Sequence, residues 1–566
     1  MRHLAVPLAV ASLLLVASCS DDAASGDTVP ATAPATEAPT STDAGPPTTE
    51  AAVAPTIGAI EVEANPANVL LATLHVTTDV PARLAISIIE DGAARPVVTT
   101  ETLATDHTVP IRGLHADRIQ TIEAVPMSAD GALDGEAATV DITTEPLPFT
   151  LPELTVGEQV IGEMAPGFTL FDPVQTADIV APDEEREQPA GLLVAVDDHG
   201  EVVWYLTHPR PIADARILAD GTLMYESLDT EVVFADMDGN VLSRLTSRLY
   251  EGEVGNDTPT IAVDTDALHH ETNLLPDGHL ASLSSAVHVV NVAEPMCGED
   301  PATFGGTYSI LSDVVVVVDV ESGAVLSAYD LWDLLDPMGD PVRRDFCGTA
   351  FQNANVFPVS VYPDAPGTVI DWTHSNAIVL DEARNALLVS VRHLNEILAI
   401  RYEDDANGPA GELLWELGED GTVPYTGRQF THQHSVDVLA DGSLIIYDNA
   451  NEDPAPQQSR AMTITLEGDG QVPTTASESW EFGSTVDGAP AFSFAVGDAD
   501  PLPNGNVLVT NGFYAGGYSG LNAQLVEVVP DGTDGGTVVW ELRIGGPGPW
   551  FVYRAERIPT LYPAPV

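Results

Sequence analysis

Most of the chain alternates short runs of β-branched and other apolar residues with turns rich in Gly, Pro, Asp and Asn. Alternation with a period of two is typical of half-buried β-strands, and almost no stretch shows the longer period of a helix. One phrase, a turn followed by a strand, recurs as LADGTLMY from Leu218, LPDGHLAS from Leu275, LADGSLII from Leu439 and LPNGNVLV from Leu502. Its Asp-Gly or Asn-Gly pair predicts a tight hairpin in each copy.

A second phrase, a strand that ends on tryptophan, reads GEVVWYL, GELLWEL, ESWEFG and GTVVWEL, and it carries Trp204, Trp415, Trp480 and Trp540. A repeat of this kind predicts one four-stranded sheet per unit, and such units close into a propeller. Counting the phrase pairs gives about six units. We therefore predict an all-β fold in which residues 151–566 form a six-bladed β-propeller, with long insertions near 250–268, 289–312 and 331–371.

The N-terminal part predicts export and anchoring. Residues 1–18 have a charged start and an apolar run too short to span a membrane comfortably, which is typical of a signal peptide. The run ends on Val-Ala-Ser before Cys19, as in a bacterial lipobox, in which the cysteine is lipidated. An ordinary signal peptide with a chance cysteine is the alternative. We expect a lipoprotein anchored to the cell membrane on its extracytoplasmic side.

Two further segments precede the repeats. Residues 19–55 are rich in Pro, Thr, Ala and acidic residues and contain too few large apolar side chains to fold, so they predict a disordered tether. Residues 56–148 return to short alternating runs and predict a small β-sandwich of the Ig or fibronectin type. Outside the cytoplasm a disulfide can persist, and Cys297 and Cys347 are the two cysteines left for one. Unpaired buried thiols are the alternative.

Composition excludes several classes of function. The chain has 86 acidic and 20 basic residues, a formal net charge of -66, so nucleic acid is not an expected partner. Every basic residue is arginine, which excludes a P-loop lysine, a Schiff-base lysine and a pyridoxal anchor. The acidity itself indicates a heavily hydrated surface, typical of proteins from salty surroundings.

The repeat aligns three histidines with one another. His270 and His434 each stand eight residues before a turn glycine, and His374 holds the same place before a slightly longer turn. Equivalent positions in propeller blades form a ring, so these imidazoles should converge at one mouth of the channel. Two other blades have Ala213 and Gly497 at this offset, which disfavours a purely structural histidine.

Two polar residues belong to the same neighbourhood. Asn376 is two residues past His374 and shares its face of the strand. Arg392 lies in the return strand of the same hairpin, where it either lines the channel or is an outer, exposed arginine. Inside the channel its guanidinium could grip two oxygens of an oxyanion.

These residues stand in phrases that resemble bacterial arylsulfate sulfotransferases over nearly the whole mature chain. The phrases are APGFTLF, HHETNLLPDG, DWTHSNAIVL, SVRHLNEI, FTHQHSVDVL and YDNAN. The resemblance implies a six-bladed propeller after a small β-domain, without a cofactor or metal. It also implies sulfuryl transfer from an aryl sulfate donor to a phenolic acceptor through a sulfated histidine. This chain departs from the family at Thr431-His432, where tryptophan-threonine is commoner, which bears on acceptor preference.

Carried over by motif, the resemblance implies His434 as the nucleophile, supported by His270, His374, Asn376 and Arg392. His269 is the alternative to His270 within the HHE motif. Two rival functions remain open, a metal hydrolase with His432, His434 and His270 as ligands, and a propeller lipoprotein that only binds partners. The sequence leaves the oligomeric state and the physiological donor and acceptor open.

Overall fold

A computed structural model describes residues 54–563, except 130, 132–133, 177–188, 228–229, 251–257, 298–304, 340–345, 347–361, 469, 515–517 and 519. The predicted signal peptide, Cys19 and nearly all of the predicted tether lie outside the described residues. The described part is all-β, with many antiparallel sheets. A short α-helix, α1, spans Leu331–Leu335, and its N-cap is Asp330.

The N-terminal β-domain has six strands. They are β1 (Ile57–Ala64), β2 (Ala72–Glu90), β3 (Ala93–Thr99), β4 (Ala104–Ile111), β5 (Ile119–Met127) and β6 (Ala138–Thr143). The long strand β2 pairs with β1 and β4 along its first half and with β3 and β5 along its second half. Alternate residues from both halves of β2 enter one shared apolar core, which includes Leu74, Val76, Leu84 and Ile86. This alternation is the pattern that the sequence displays.

Six further sheets of four or five strands follow. Sheet 1 contains β8 (Phe168–Gln175), β9 (Gly191–Val196), β10 (Val202–His208) and β36 (Trp550–Ile558). Sheet 2 contains β11 (Ile212–Ile217), β12 (Leu223–Ser227), β13 (Glu231–Ala235), β14 (Val241–Thr246) and β15 (Thr260–Ala262). Sheet 3 contains β16 (His269–Leu274), β17 (His279–Asn291), β18 (Thr307–Asp319), β19 (Val325–Asp330) and β20 (Thr368–Asp371).

The remaining sheets complete the series. Sheet 4 contains β21 (Ser375–Asp381), β22 (Ala386–Val391), β23 (Glu396–Arg401) and β24 (Leu413–Gly418). Sheet 5 contains β25 (Tyr425–Thr426), β26 (His434–Val438), β27 (Leu444–Asp448), β28 (Arg460–Glu467) and β29 (Thr475–Gly483). Sheet 6 contains β32 (Asp498–Pro501), β33 (Val507–Asn511), β34 (Leu521–Pro530), β35 (Gly536–Gly545) and β7 (Glu153–Gln159). A small hairpin, β30 (Thr485–Val486) and β31 (Ala489–Pro490), lies apart.

One edge strand of each sheet contacts the edge strands of the two neighbouring sheets. Followed in order, β36, β11, β16, β21, β26 and β32 contact one another, and β32 contacts β36 again. The series of contacts is therefore closed. Chain ends contribute to the closure, since β7 pairs with β35 and the last strand, β36, pairs with β8.

The four recurring hairpins have the same geometry. Their turn glycines, Gly221, Gly278, Gly442 and Gly505, all have φ between 83° and 90°, a conformation that favours glycine. In each turn an Asp or Asn side chain accepts a hydrogen bond from the backbone N–H two residues later, as Asp220 does from Thr222 at 2.9 Å. The repeated phrase thus encodes both the turn and the start of the next strand.

The four recurring tryptophans link neighbouring sheets. Each indole Nε1–H donates to a backbone carbonyl of the next sheet: Trp204 to Met237, Trp415 to Gln471, Trp480 to Gly535, and Trp540 to Asp198. Each ring is buried, and burial of a tryptophan removes about 150–250 Å² from water. The contact of Trp540 with Asp198 joins sheet 6 to sheet 1.

An ionic cluster joins the N-terminal β-domain to sheet 1. Nδ1 of His115 lies 2.6 Å from Oε2 of Glu90, and its Nε2 lies 3.2 Å from Oδ2 of Asp197. Arg118 donates to Glu90 and to Glu201. Two carboxylates that face both ring nitrogens can be satisfied together only by a doubly protonated imidazole.

The predicted disulfide is supported at one of its two cysteines. Cys297 is disulfide-bonded, whereas Cys347 lies outside the described residues, so the Cys297–Cys347 pairing stays a prediction.

Within the residues described, no helix has the length and apolar character needed to cross a membrane. The two ends of the expected insertion near 289–312 are strand, because β17 extends to Asn291 and β18 begins at Thr307, and the two strands stay paired along 13 residues each.

Candidate active site

The three aligned histidines lie at the starts of three neighbouring edge strands. His270 is the second residue of β16, His374 directly precedes β21, and His434 begins β26. His270 and His374 have φ of 61° and 50°, and His432 and Val496 nearby have 54° and 53°. Such left-handed conformations of non-glycine residues cost about 1–3 kcal/mol each and concentrate at functional sites.

His270 and His374 are in direct ring contact. Their ring centroids are 4.9 Å apart in an edge-to-face arrangement, and His270 also lies 6.0 Å from the ring of Tyr553. The other histidine of the HHE motif, His269, is fully buried behind His270, with the two Nδ1 atoms 2.8 Å apart. The structure therefore places His270, rather than His269, against His374.

A carboxylate orients His374. Asp371, the last residue of β20, lies with Oδ2 2.5 Å from Nδ1 of His374. The ring of His393 stacks on His374 with centroids 4.8 Å apart, and its Nδ1 lies 3.1 Å from the backbone oxygen of Asp371. Neither Asp371 nor His393 was predicted as a site residue.

The ring of His434 is held at both nitrogens. Its Nδ1 lies 2.7 Å from Oδ1 of Asn449, and its Nε2 accepts a hydrogen bond of 3.2 Å from the backbone N–H of Val496. The adjacent Gly497, the blade position without a histidine, has φ of 118°, and a Cβ there would lie 2.5 Å from the ring of Tyr447. A side chain at position 497 would clash with Tyr447, so the lack of a histidine in this blade has a steric explanation.

Asn376 and Gln433 fix the segment that carries His434. Asn376 is fully buried, and its Nδ2 donates to the backbone oxygen of Gln433 at 2.7 Å. The side chain of Gln433 donates in turn to the backbone oxygens of Val391 and Glu396, at 3.2 and 2.9 Å. These bonds tie the residue before His434 to sheet 4. Substrate binding by Asn376 stays a prediction.

Arg392 is buried rather than exposed on an outer face, with only 2% of its surface accessible. It is not in the return strand, as the sequence suggested, but in the 3₁₀ turn Arg392–Leu394 that directly follows β22. Its Nη2 donates to the backbone oxygen of Phe494 at 3.2 Å. The turn carries both Arg392 and His393 toward the starts of the edge strands.

The site keeps three of its imidazoles neutral, those of His270, His432 and His434. Burial, followed by the charge of Arg392, lowers the pKa of His434 well below its ordinary value. Burial and the neighbouring His269 do the same to the pKa of His270, and burial with Arg392 lowers the pKa of His432 to about 3. Burial also lowers the pKa of Arg392, to about 10, which leaves it charged at neutral pH. The site therefore combines these three neutral imidazoles with a buried cation, despite the acidity of the whole chain.

An ionic network supports the same strands. Glu271, which follows His270, lies 2.7 Å from Arg554 and 3.0 Å from Arg216, and it accepts a hydrogen bond from the backbone N–H of Ile378. Arg216 also contacts Asp214 at 3.0 Å. These contacts join β11, β16, β21 and β36 and explain the glutamate of the HHE motif as a structural residue.

Aromatic side chains lie next to the carbonyl that binds Arg392. The rings of Phe494 and Phe513 are 5.2 Å apart, and those of Phe513 and Phe551 are 6.0 Å apart. All three are only half-buried. Phe494 lies in the loop before β32, Phe513 lies just after β33, and Phe551 lies in β36. Because the three residues are far apart in the sequence, no local pattern connects them.

One group at this site has the spacing of metal ligands. One ligand atom each from Asp371, His374 and His393 lies within 4.8 Å of the others. Among the described residues, the predicted alternative of His432, His434 and His270 does not form such a group.

Neutral imidazoles beside a buried guanidinium, at the meeting point of several sheets, define a candidate centre for transfer of an oxyanionic group. A sequence model of the family described as Arylsulfotransferase (ASST) matches residues 155–535, which is well over half of the chain. The protein belongs to the arylsulfotransferase (ASST) family. Membership supports arylsulfotransferase activity in general, with aryl sulfates and phenols as the substrate classes.

Other comparisons add little to this result. No curated protein gave a significant match. A crystal structure of a protein of unknown function from Bacteroides caccae aligns at 14% identity and a TM-score of 0.35, covering 67% of this chain and 94% of that one. A candidate 6-phosphogluconolactonase from Bacteroides uniformis ATCC 8492 aligns at 10% identity and a TM-score of 0.31, covering 84% and 99%. At these values neither structure informs the function of this chain.

Proposed function

We propose that this protein is an arylsulfate sulfotransferase that moves a sulfuryl group from a phenolic sulfate ester to a phenolic acceptor through a sulfated His434. The reaction proceeds in two half-reactions and needs no nucleotide donor. The observation that carries the proposal is the neutral ring of His434, whose Nε2 holds a lone pair, beside the buried cation of Arg392. Family membership supports the reaction class.

In the first half-reaction, the N–H of Val496 releases Nε2 of His434, and Nε2 forms a bond to sulfur while the bond between sulfur and the aryl oxygen breaks. The electron pair leaves on the aryl oxygen. A phenol has a pKa of about 10, so a proton supplied to this oxygen assists its departure. His374 is the donor we assign, because Asp371 accepts from its Nδ1 and so stabilises a protonated ring, as the aspartate of a Ser-His-Asp triad does.

In the second half-reaction, the acceptor phenol gives its proton to His374 and attacks sulfur, and the bond between sulfur and Nε2 breaks. Both histidines return to their starting states. Arg392 holds the charge on the sulfuryl oxygens, which increases in the transition state, and Asn376 is the second group assigned to these oxygens. His270 stays neutral and packs against His374, where it excludes water and limits the movement of the ring.

The finer architecture belongs to the same proposal. Closed contacts among six edge strands, together with the tryptophans that link successive sheets, support a six-bladed propeller with the site at one end of its axis. We further propose that the protein is a lipoprotein anchored through Cys19 on the extracytoplasmic side of the membrane, since its N-terminal sequence ends as a lipobox does.

A metal hydrolase is the second candidate, favoured by the spacing of Asp371, His374 and His393. One experiment separates the candidates. Purified protein, with and without prior chelator treatment, is given a nitrophenyl sulfate and a second phenol, and both the released nitrophenol and the sulfated acceptor are measured. The transferase predicts equal amounts of the two products and no effect of the chelator. Inorganic sulfate and chelator sensitivity would instead indicate the hydrolase, and the absence of any product would indicate a binding protein.

A further inference from the structure

Asn449 lies directly behind the ring of His434. It is fully buried, and its Nδ2 donates to the backbone oxygens of Ser493 and Val496, at 2.7 and 2.9 Å. A reversed amide would place its oxygen against two carbonyl oxygens, so the orientation is fixed. Oδ1 therefore faces Nδ1 of His434 at 2.7 Å and can only accept a hydrogen bond. It follows that Nδ1 carries the proton.

The other side of the ring gives the same result independently. Nε2 of His434 accepts from the backbone N–H of Val496 at 3.2 Å, and only an unprotonated nitrogen can accept. Val496 has φ of 53°, an unusual conformation for a β-branched residue. The hydrogen bond from Asn449 to the carbonyl oxygen of Val496 helps to hold this residue in place. One side chain thus controls both neighbours of the imidazole.

We propose that Asn449 is a positioning residue that holds His434 in the tautomer with a protonated Nδ1, and so selects Nε2 as the nitrogen that bonds to sulfur. The inference rests on the proposed function and names the atom it requires. In this tautomer the lone pair of Nε2, once released by the N–H of Val496, forms the new bond, the aryl oxygen takes the electrons of the broken one, and Nδ1 keeps its proton. Oδ1 of Asn449 then faces the positive charge of the sulfated ring. In the opposite tautomer Nε2 has no lone pair to give.

Two substitutions separate the functions of the amide. Asn449→Ala removes the acceptor and both donors, whereas Asn449→Asp keeps an acceptor for Nδ1 and loses the donors. We expect the rate of the first half-reaction to fall about 10- to 100-fold in Asn449→Ala. A loss of this size is typical of metal sites when the hydrogen-bond partner that orients a histidine is removed, and the amide of Asn449 orients His434 in the same way. The KM for the donor should change little. Asn449→Asp should keep more of the rate than Asn449→Ala. As pH is lowered, it should lose activity at a higher pH than wild type does, because a carboxylate stabilises the protonated ring, which is not a nucleophile.

The deciding measurement is ¹⁵N NMR of the protein labelled in its histidine rings, without any substrate. Signals of His434 are identified by their loss in His434→Gln. Wild type and Asn449→Asp should have a protonated Nδ1 and an unprotonated Nε2 at neutral pH, and Asn449→Ala should lose this preference. Asn506→Ala is the matched control, since Asn506 is also buried and makes two hydrogen bonds of 2.6 and 2.7 Å, but at a turn of sheet 6. It should leave the His434 signals unchanged.

A wild-type spectrum with the proton on Nε2 would overturn the proposal, as would an unchanged tautomer in Asn449→Ala. The wild-type spectrum shows which nitrogen of His434 carries the proton even if the alanine variant does not fold. The role of Asn449 and the transferase function fail in different ways, because the spectrum needs no turnover. Phenol release with the opposite tautomer would reject the role of Asn449 alone, and the expected tautomer without phenol release would reject sulfuryl transfer.

Discussion

Replacing Arg392 by methionine should stabilise the protein and inactivate it. Burial lowers the pKa of Arg392 from 12.5 to about 10. One pKa unit corresponds to about 1.4 kcal/mol, so keeping this guanidinium charged costs the folded protein about 3 kcal/mol at neutral pH. The cost is present at any pH below about 10, where the group is charged in both states, and it is relieved as pH rises further.

Methionine has a similar length and no charge to bury. The substitution removes the hydrogen bond to the backbone oxygen of Phe494, worth about 1 kcal/mol, but Asn451 still donates to that oxygen at 2.9 Å. We therefore expect the free energy of unfolding to rise by about 2 kcal/mol. For a chain of 566 residues the unfolding entropy is roughly 1 kcal/mol per kelvin, so Tm should rise by about 2 °C.

The assay pairs urea denaturation, followed by tryptophan fluorescence, with phenol release from an aryl sulfate. Release should fall by about 10²–10³-fold, as it does when an oxyanion-hole donor is removed. Arg460→Met is the matched control, because Arg460 is equally buried but lies 2.9 Å from both Asp448 and Glu478. Its removal leaves buried Asp448 without its cation and should destabilise by about 3–5 kcal/mol. An Arg392→Met variant that is less stable than wild type would contradict the expected cost of burying the guanidinium, and one with wild-type phenol release would contradict the role of Arg392 in catalysis.

Three further predictions concern the rest of the chain. Burial lowers the pKa of His115, but hydrogen bonds to Asp197 and Glu90 outweigh it, so the net pKa is raised. The stability that the protonated ring adds to the folded protein is therefore complete below pH 6.5 and is lost as pH rises through the raised pKa. The stability difference between wild type and His115→Gln should thus be larger at pH 5.5 than at pH 8.5, and equal differences in urea titrations would contradict this. Thiol labelling of the denatured, unreduced protein should find neither Cys297 nor Cys347 free, whereas labelling of both would exclude the bridge. Cys19→Ser should release the protein from membranes, and a variant that still sediments with them after carbonate washing would place the anchor elsewhere.

Local patterns in the sequence predict the repeating part of the fold. Each Asp-Gly or Asn-Gly turn specifies its own φ and hydrogen bonds, so the hairpins after Leu218, Leu275, Leu439 and Leu502 could be read directly. The same repeat aligned His270, His374 and His434, because a fixed offset from a turn fixes a place on the edge strand. These features need only information within about ten residues.

Contacts between distant segments could not be predicted in this way. Asp371 reaches His374 because the short strand β20 pairs with β18, and no periodic pattern marks a strand of four residues. Asn449 and Val496 reach His434 from two different loops. Arg392 belongs to a turn rather than a strand because the backbone N–H of Asn395, which has φ of 55°, bonds to the carbonyl oxygen of Arg392. Each case depends on how the sheets pack.

The proposed mechanism depends on His434 as the residue that carries the sulfuryl group. Protein mixed with an aryl sulfate alone should release one equivalent of phenol rapidly and then stop, provided that water attacks the intermediate slowly. The most direct measurement is peptide mass spectrometry of this trapped protein under mildly alkaline conditions, because a sulfated imidazole is labile in acid. We expect one added sulfuryl group on the peptide that contains His434, and none in a folded His434→Ala variant. A stable sulfuryl group on another residue, or full activity in His434→Ala, would contradict it.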